Sequence, residues 1–240
     1  VIAVAVLVVL WGGAAAAVLA RRWGEDLRVI CLPVMFMNSA NLAIPVNTLL
    51  FGPAGTVYAV GYSVAISLLL FTVGISRVAP DGWRDVVRQP IFYAAIFGIA
   101  ANQIGWPVPA AIQGFAQGLG AVALPAMLIV AGYSLTLSPS PLRGSAAADA
   151  VAEGGGEGDR IPWSRIALSL TARMAGGAAV GWLAGHALGL TGPAAGVALV
   201  TSPMPPAVNT ALLTRKYAAG PEFAAALVAV GTAVSLVTLP

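Results

Sequence analysis

Met37-Asn38-Ser39-Ala40-Asn41-Leu42-Ala43-Ile44-Pro45-Val46-Asn47-Thr48 is the stretch that decides how this chain folds. It sits inside an apolar run, residues 29–51, long enough as a helix to cross a bilayer. Three asparagines and a proline interrupt that run. Proline removes one backbone hydrogen bond and clashes with the preceding turn. Unpaired backbone groups are costly in lipid, so an interrupted helix must face protein or a water-filled cavity. Asparagine brings both donors and acceptors to such a break. The stretch therefore reads as two half-helices with a polar break near mid-membrane.

The same pattern returns at Ser202-Pro203-Met204-Pro205-Pro206-Ala207-Val208-Asn209-Thr210. Val46-Asn47-Thr48 matches Val208-Asn209-Thr210, and each is followed by Gly-Pro, at Gly52-Pro53 and Gly220-Pro221. Working outward from these two breaks, eight apolar segments emerge: residues 1–20, 29–51, 56–76, 90–106, 110–137, 166–188, 194–213 and 223–239. The broken ones are second and seventh, an odd separation, so they run in opposite directions through the membrane. Discontinuous helices of opposite direction are the signature of inverted-topology repeats, with the substrate site near the midplane. If the seventh segment is the fourth helix of a five-helix repeat starting at Pro90, the second is a fourth helix too. Two helices then precede Val1, and the parent protein has ten. Val1 and Pro240 both fall inside apolar runs, and the chain is expected to be an N-terminally truncated fragment.

Loop charge supports the segment count. Basic residues fall in alternate loops: Arg21, Arg22 and Arg28; Arg77, Arg84 and Arg88; Arg143, Arg160 and Arg165; Arg215 and Lys216. The loops between them, at 52–55, 105–109 and 189–193, carry no charge. Basic loops stay in the cytoplasm, which places both ends of this chain outside. The long loop 138–164 contains an Ala-, Gly- and acid-rich stretch, 144–159, that cannot bury enough surface to fold alone, and it reads as a flexible cytoplasmic linker.

Composition agrees. Of 240 residues, 59% are hydrophobic and 9% charged, too few charges to cover a water-facing surface. The strand-like alternation of a transmembrane β-barrel is absent. The net charge of +3 forms no single patch and does not suggest nucleic acid. One cysteine, Cys31, excludes an internal disulfide and a cysteine metal cluster, and it reads as a small core residue. No paired intramembrane aspartates, His-Glu-x-x-His or Cys-His pairing point to an enzyme. No cofactor is expected.

At the two broken segments the sequence resembles the auxin efflux carrier family, which includes bacterial permeases related to bile-acid and anion transporters. The carrying features are Asn38 through Pro45 followed by Leu-Leu-Phe-Gly at 49–52, and Met204-Pro205 with Asn209 and Lys216-Tyr217. Leu124-Pro125 with Gly132 and Leu135, the Gln89-Pro90 start and Asn102 also fit. The resemblance implies an all-α membrane protein: eight visible transmembrane helices of a ten-helix, 5+5 inverted-repeat transporter. Residues 1–76 would be the last three helices of the first repeat, 77–89 a cytoplasmic loop and 90–240 the second repeat. It also implies scaffold and transport subdomains, a crossover of the broken helices at the substrate site, and a bacterial inner membrane.

The expected function is secondary transport of a small organic anion, a carboxylate, by alternating access. Half-helix N-termini carry partial positive charge and free amide donors. Asn38, Asn41, Pro45, Pro205, Pro206 and Asn209 are the expected substrate-site residues. A membrane ligand sensor on the same scaffold and a sodium-coupled anion symporter are the alternatives. Partners are the anion and the lipid bilayer, with proton or sodium coupling and a homodimer left open. No Asp or Glu lies inside an apolar segment to serve as a proton carrier. His186 is expected at the outer interface, and Arg173, the one charge well inside a segment, could bind the anion but is expected instead to snorkel to the inner surface.

Overall fold

The computed structural model describes residues 1–88, 90–137 and 161–238, and its regular structure is helical. Helix α1 (Ile2–Trp23) is apolar all round. Val4, Val8, Gly12, Ala16 and Leu19 recur about once per turn and are buried, whereas Ile2, Leu10 and Val18 are 59%, 62% and 63% exposed. A helix apolar on both its buried and its exposed face suits lipid rather than water. It stops at Gly24, whose φ of 67° closes the helix in the left-handed region, with Arg21 and Arg22 in the last turn beside the carbonyl end.

Helix α2 (Leu27–Met35) starts on an Asp26 cap, whose carboxylate accepts from the Arg28 amide at 2.9 Å. It ends at Met35, and Phe36 is extended at φ −113°, ψ 124°. Helix α3 (Ala43–Leu69) follows the break. Its 27 residues are two limbs, because Gly52 has φ 63°, ψ −153°. Residues on either side of that point meet: Thr48 and Thr56 hydroxyls lie 2.8 Å apart, and Ser39 and Ser63 hydroxyls 3.5 Å apart. In a straight helix Ser39 and Ser63 would be roughly 36 Å apart. The chain thus folds back at Gly52-Pro53, the uncharged loop expected from sequence. The second limb passes through a π-helical turn, Leu70–Gly74, into α4 (Ile75–Val78). The expected cytoplasmic loop 77–89 is not wholly loop, since its residues extend α4 and form the short helix α5 (Trp83–Val87).

Helices α6 (Pro90–Gln103) and α7 (Ala110–Leu137) lie against α3 and leave Tyr93, Phe97, Phe115, Leu119 and Ile129 exposed. Helix α8 (Trp163–Ala187) carries Gly177, Gly181 and Gly185 at four-residue spacing, the small-residue ridge that lets membrane helices approach closely. Helix α9 (Gly192–Thr201) stops at the second break, α10 (Val208–Lys216) resumes it, and α11 (Pro221–Thr238) closes the described chain. Gly52, Gly192 and Gly220 all have positive φ and all precede a proline near the start of the next helix.

One buried core takes side chains from α1, α2, α3 and α8 to α11. At one end of it Arg165 pairs with Glu25 and stacks over Trp23 at 5.4 Å, and Gly220 abuts Val29. At the other, Phe51 abuts Gly196. The basic segments near Glu25, Arg165 and Gly220 thus gather at one end, and the uncharged ones near Phe51 and Gly196 at the other. Most of loop 138–164 lies outside the described residues.

Candidate functional site

The two breaks meet. Met37 and Pro206 form an isolated antiparallel β-bridge: the Asn38 amide donates to the Pro205 carbonyl at 2.8 Å and the Ala207 amide to the Phe36 carbonyl at 3.0 Å. Each break thereby satisfies backbone groups that its own missing helical turn leaves free. Phe36, Met37 and Met204 are fully or almost fully buried around the bridge. Prolines suit the second break because Pro203, Pro205 and Pro206 have no amide to satisfy. Gly231 on α11 makes room for them, since a Cβ there would sit 2.8 Å from the Pro206 ring.

Four half-helix ends converge here. Those of α2 and α9 are C-terminal and present carbonyls; those of α3 and α10 are N-terminal and present amides. The carbonyl ends are held by Arg173 from α8. Its Nη1 donates to the Met35 and Val34 carbonyls at 3.2 and 3.4 Å, and its Nη2 to the Ser202 carbonyl at 2.6 Å. Arg173 is 0% exposed, so it does not snorkel as the sequence suggested. Its fork instead spans the carbonyls that the ends of α2 and α9 leave unpaired. Gly177 and Gly181 permit this, because a Cβ on either would collide with Ser202. Two further links brace the same point. The Tyr62 and Ser202 hydroxyls lie 3.2 Å apart, and Asn47 Nδ2 donates to Thr201 Oγ1 at 3.0 Å.

The sequence-named residues divide by position. Asn38 is buried, and its side-chain oxygen accepts from the Asn41 amide at 3.2 Å while its carbonyl accepts from the Ala43 amide at 3.3 Å. It thus shapes the first break. Asn41 is half-buried and Asn209, in the first turn of α10, is exposed. Pro45, Pro205 and Pro206 are buried. Pro45 lies in the first turn of α3, not in the break, and has no amide to donate between the Ile44 and Val46 amides, which bond to the Ala40 and Leu42 carbonyls. The turn leading into α3 is already satisfied, since Asn38 takes the Asn41 amide on its side chain and the Ala43 and Ile44 amides go to the Asn38 and Ala40 carbonyls, whereas α10 starts at Ala207 without a side-chain cap.

Sequence reasoning passed over Asn47, Tyr62, Thr201 and Ser202. The Val-Asn-Thr match flagged Asn47 as the mate of Asn209, but gave no sign that one would be buried and the other exposed. Tyr62 and Ser202 carry no local signal in an apolar run. His186 is exposed, with Nδ1 3.1 Å from the Trp182 carbonyl, as expected of an interfacial residue. Cys31 is buried in the core. Among the described residues no group of three or more His, Cys, Asp or Glu could hold a metal ion. A cavity of about 600 Å³ lies between α8 and α11, bounded by Leu170, Met174, Pro203, Val230 and Val234. It reaches the second break at Pro203, and its walls are mostly apolar, with Thr171, Thr238 and Trp163 as the polar exceptions.

Residues 75–240, more than half of the chain, match the family described as membrane transport protein. An uncharacterized transporter of Methanothermobacter thermautotrophicus is 26% identical over 227 residues, covering 92% of this chain and 67% of that protein. With its apolar helices, this makes the chain an integral membrane protein and a membrane transporter. The resemblance read from the two breaks holds at the level of the family: the chain belongs to the membrane transport protein family.

Proposed function

We propose that this transporter carries a small organic anion, a carboxylate, by alternating access, with its substrate site at the crossover. One observation carries the reading: both carbonyl ends at the crossover are occupied by Arg173, while the amide end of α10 starts without a side-chain cap. A carboxylate is the ligand that complements such an end, with the start of α3 beside it. Asn41 and Asn209 stand at those ends as neutral donors, and Asn38, Pro45, Pro205 and Pro206 fix the backbone that presents them. The antiparallel pairing of the breaks also supports a 5+5 inverted repeat, with residues 90–240 as its second half. The basic end of the molecule is placed in the cytoplasm.

Substrate-dependent current across proteoliposomes holding the full-length protein tests this. Malonate, malate and indole-3-acetate are offered with and without pH and sodium gradients. A saturable current is expected, weakened about tenfold in apparent affinity when both Asn41 and Asn209 become Ala, as for the loss of one or two hydrogen bonds to a charged ligand. Asn209 suits this test because its side chain is exposed, whereas Asn38→Ala would also loosen the break. Saturable binding without flux would replace transport with ligand sensing. A current unaffected by the paired substitution would move the site away from the crossover.

A further inference from the structure

We propose that Arg173 is the specificity-determining charge of the crossover, the group that makes it select anions although it does not face the ligand. This rests on the reading of the crossover as an anion site and assigns that selectivity to one side chain.

Charge balance at the crossover gives Arg173 this role. A helix end carries roughly half an elementary charge, negative at the carbonyl end and positive at the amide end. Four such ends meeting at one point, two of each sign, cancel. A crossover built of backbone alone would therefore show little net preference for an anion over its neutral amide. Arg173 breaks that balance. Its guanidinium lies on the carbonyls of Met35, Val34 and Ser202 and offsets the two negative ends, so that the uncapped positive end of α10 is left uncompensated, that of α3 being partly met by Asn38. Its charge is not cancelled otherwise. The ion pairs among the described residues, Arg88 with Asp85 and Arg165 with Glu25, lie outside the buried spans. All three acceptors of Arg173 are neutral carbonyls, and its Nε has no hydrogen-bond partner. In a fully buried position the field of such a charge is weakly screened. Membrane helices rarely hold an unpaired charge without a functional reason.

The test uses the full-length protein in proteoliposomes and two readouts. One is the KM for a radiolabelled carboxylate (malonate, malate or indole-3-acetate). The other is the inhibition constant of the matching neutral amide. The ratio of the two measures charge selection and is not moved by a uniform loss of fit. Arg173→Gln is expected to raise the carboxylate KM about tenfold and to leave the amide constant unchanged. Arg173→Lys keeps the charge and is expected to keep the ratio. Ser169→Asp supplies an independent route. Ser169 is fully buried one turn before Arg173, its hydroxyl has no partner, and a carboxylate there would cancel the charge without removing the fork. It is expected to lose selection as Arg173→Gln does. Size-exclusion profiles in detergent report which variants fold, and where Arg173→Gln does not, Ser169→Asp and Arg173→Lys decide. A folded Arg173→Gln or Ser169→Asp protein with the wild-type ratio overturns the inference, as does a folded Arg173→Lys protein that loses it. Wild-type protein with no preference for the carboxylate removes the anion reading itself.

Discussion

Gly12 lies where α1 crosses the last turn of α2, and a Cβ on it would come within 2.7 Å of the Met35 Cα and the Val34 carbonyl oxygen. Those are backbone atoms on the turn that Arg173 grips from α8, so neither partner can give way. Gly61, in the second limb of α3, has nothing within 4 Å of its virtual Cβ. The same substitution should therefore have opposite effects. Gly12→Ala is expected to destabilise the protein by about 1–3 kcal/mol through overpacking. Gly61→Ala is expected to be neutral or to stabilise by up to about 1 kcal/mol through helix propensity. Thermal unfolding in detergent distinguishes them, and equal shifts would show that α1 does not approach α2 this closely. Sequence presents both as glycines in apolar helices. Only the neighbour across the interface separates them.

At the scale of elements, the decisive feature is that the helix spanning Ala43–Leu69 is a hairpin. Its composition gives no reason for a reversal except Gly52-Pro53, and that pair suffices. Glycine tolerates the positive φ, and proline cannot continue the preceding helix. Cysteines replacing Thr48 and Thr56 in a Cys31→Ala background should cross-link readily under mild oxidation, because the native hydroxyls are 2.8 Å apart. Quantitative thiol titration measures this, and failure to cross-link would mean that the two limbs diverge. The breaks at 36–42 and 202–207 were legible in sequence, because prolines and asparagines stand out in an apolar run. That they pair with each other through two backbone hydrogen bonds was not, since backbone pairing leaves no trace in side-chain identity.

For the whole molecule, charge alternation and packing give the same two ends. Glu25 with Arg165 and Val29 with Gly220 mark the basic end, and Phe51 with Gly196 the uncharged one. Single cysteines at Arg22 or Arg215 should react with an impermeant maleimide from one side of a sealed vesicle, and those at Ala54 or Leu190 from the other. Labelling of all four from the same side would break the alternation. The Glu25–Arg165 pair is itself half-exposed, so a double-mutant cycle should return no more than about 1 kcal/mol. It marks the end of the bundle and contributes little to holding it. Helix α6 touches α3, α5 and the π-helical turn, and α7 touches α3.

From the sequence alone it could be read that this chain is a helical membrane protein and where its helices break. Both follow from local composition: apolar length and the placement of proline and glycine. The tertiary structure decided what the breaks do together. Arg173 looked from sequence like a side chain able to reach water, because one helix alone cannot say what lies against it. In the fold it is enclosed by α2 and α9, and the carbonyls of two interrupted helices replace the water it would otherwise seek. That exchange depends on three segments distant in sequence meeting at one point, and only packing brings them there.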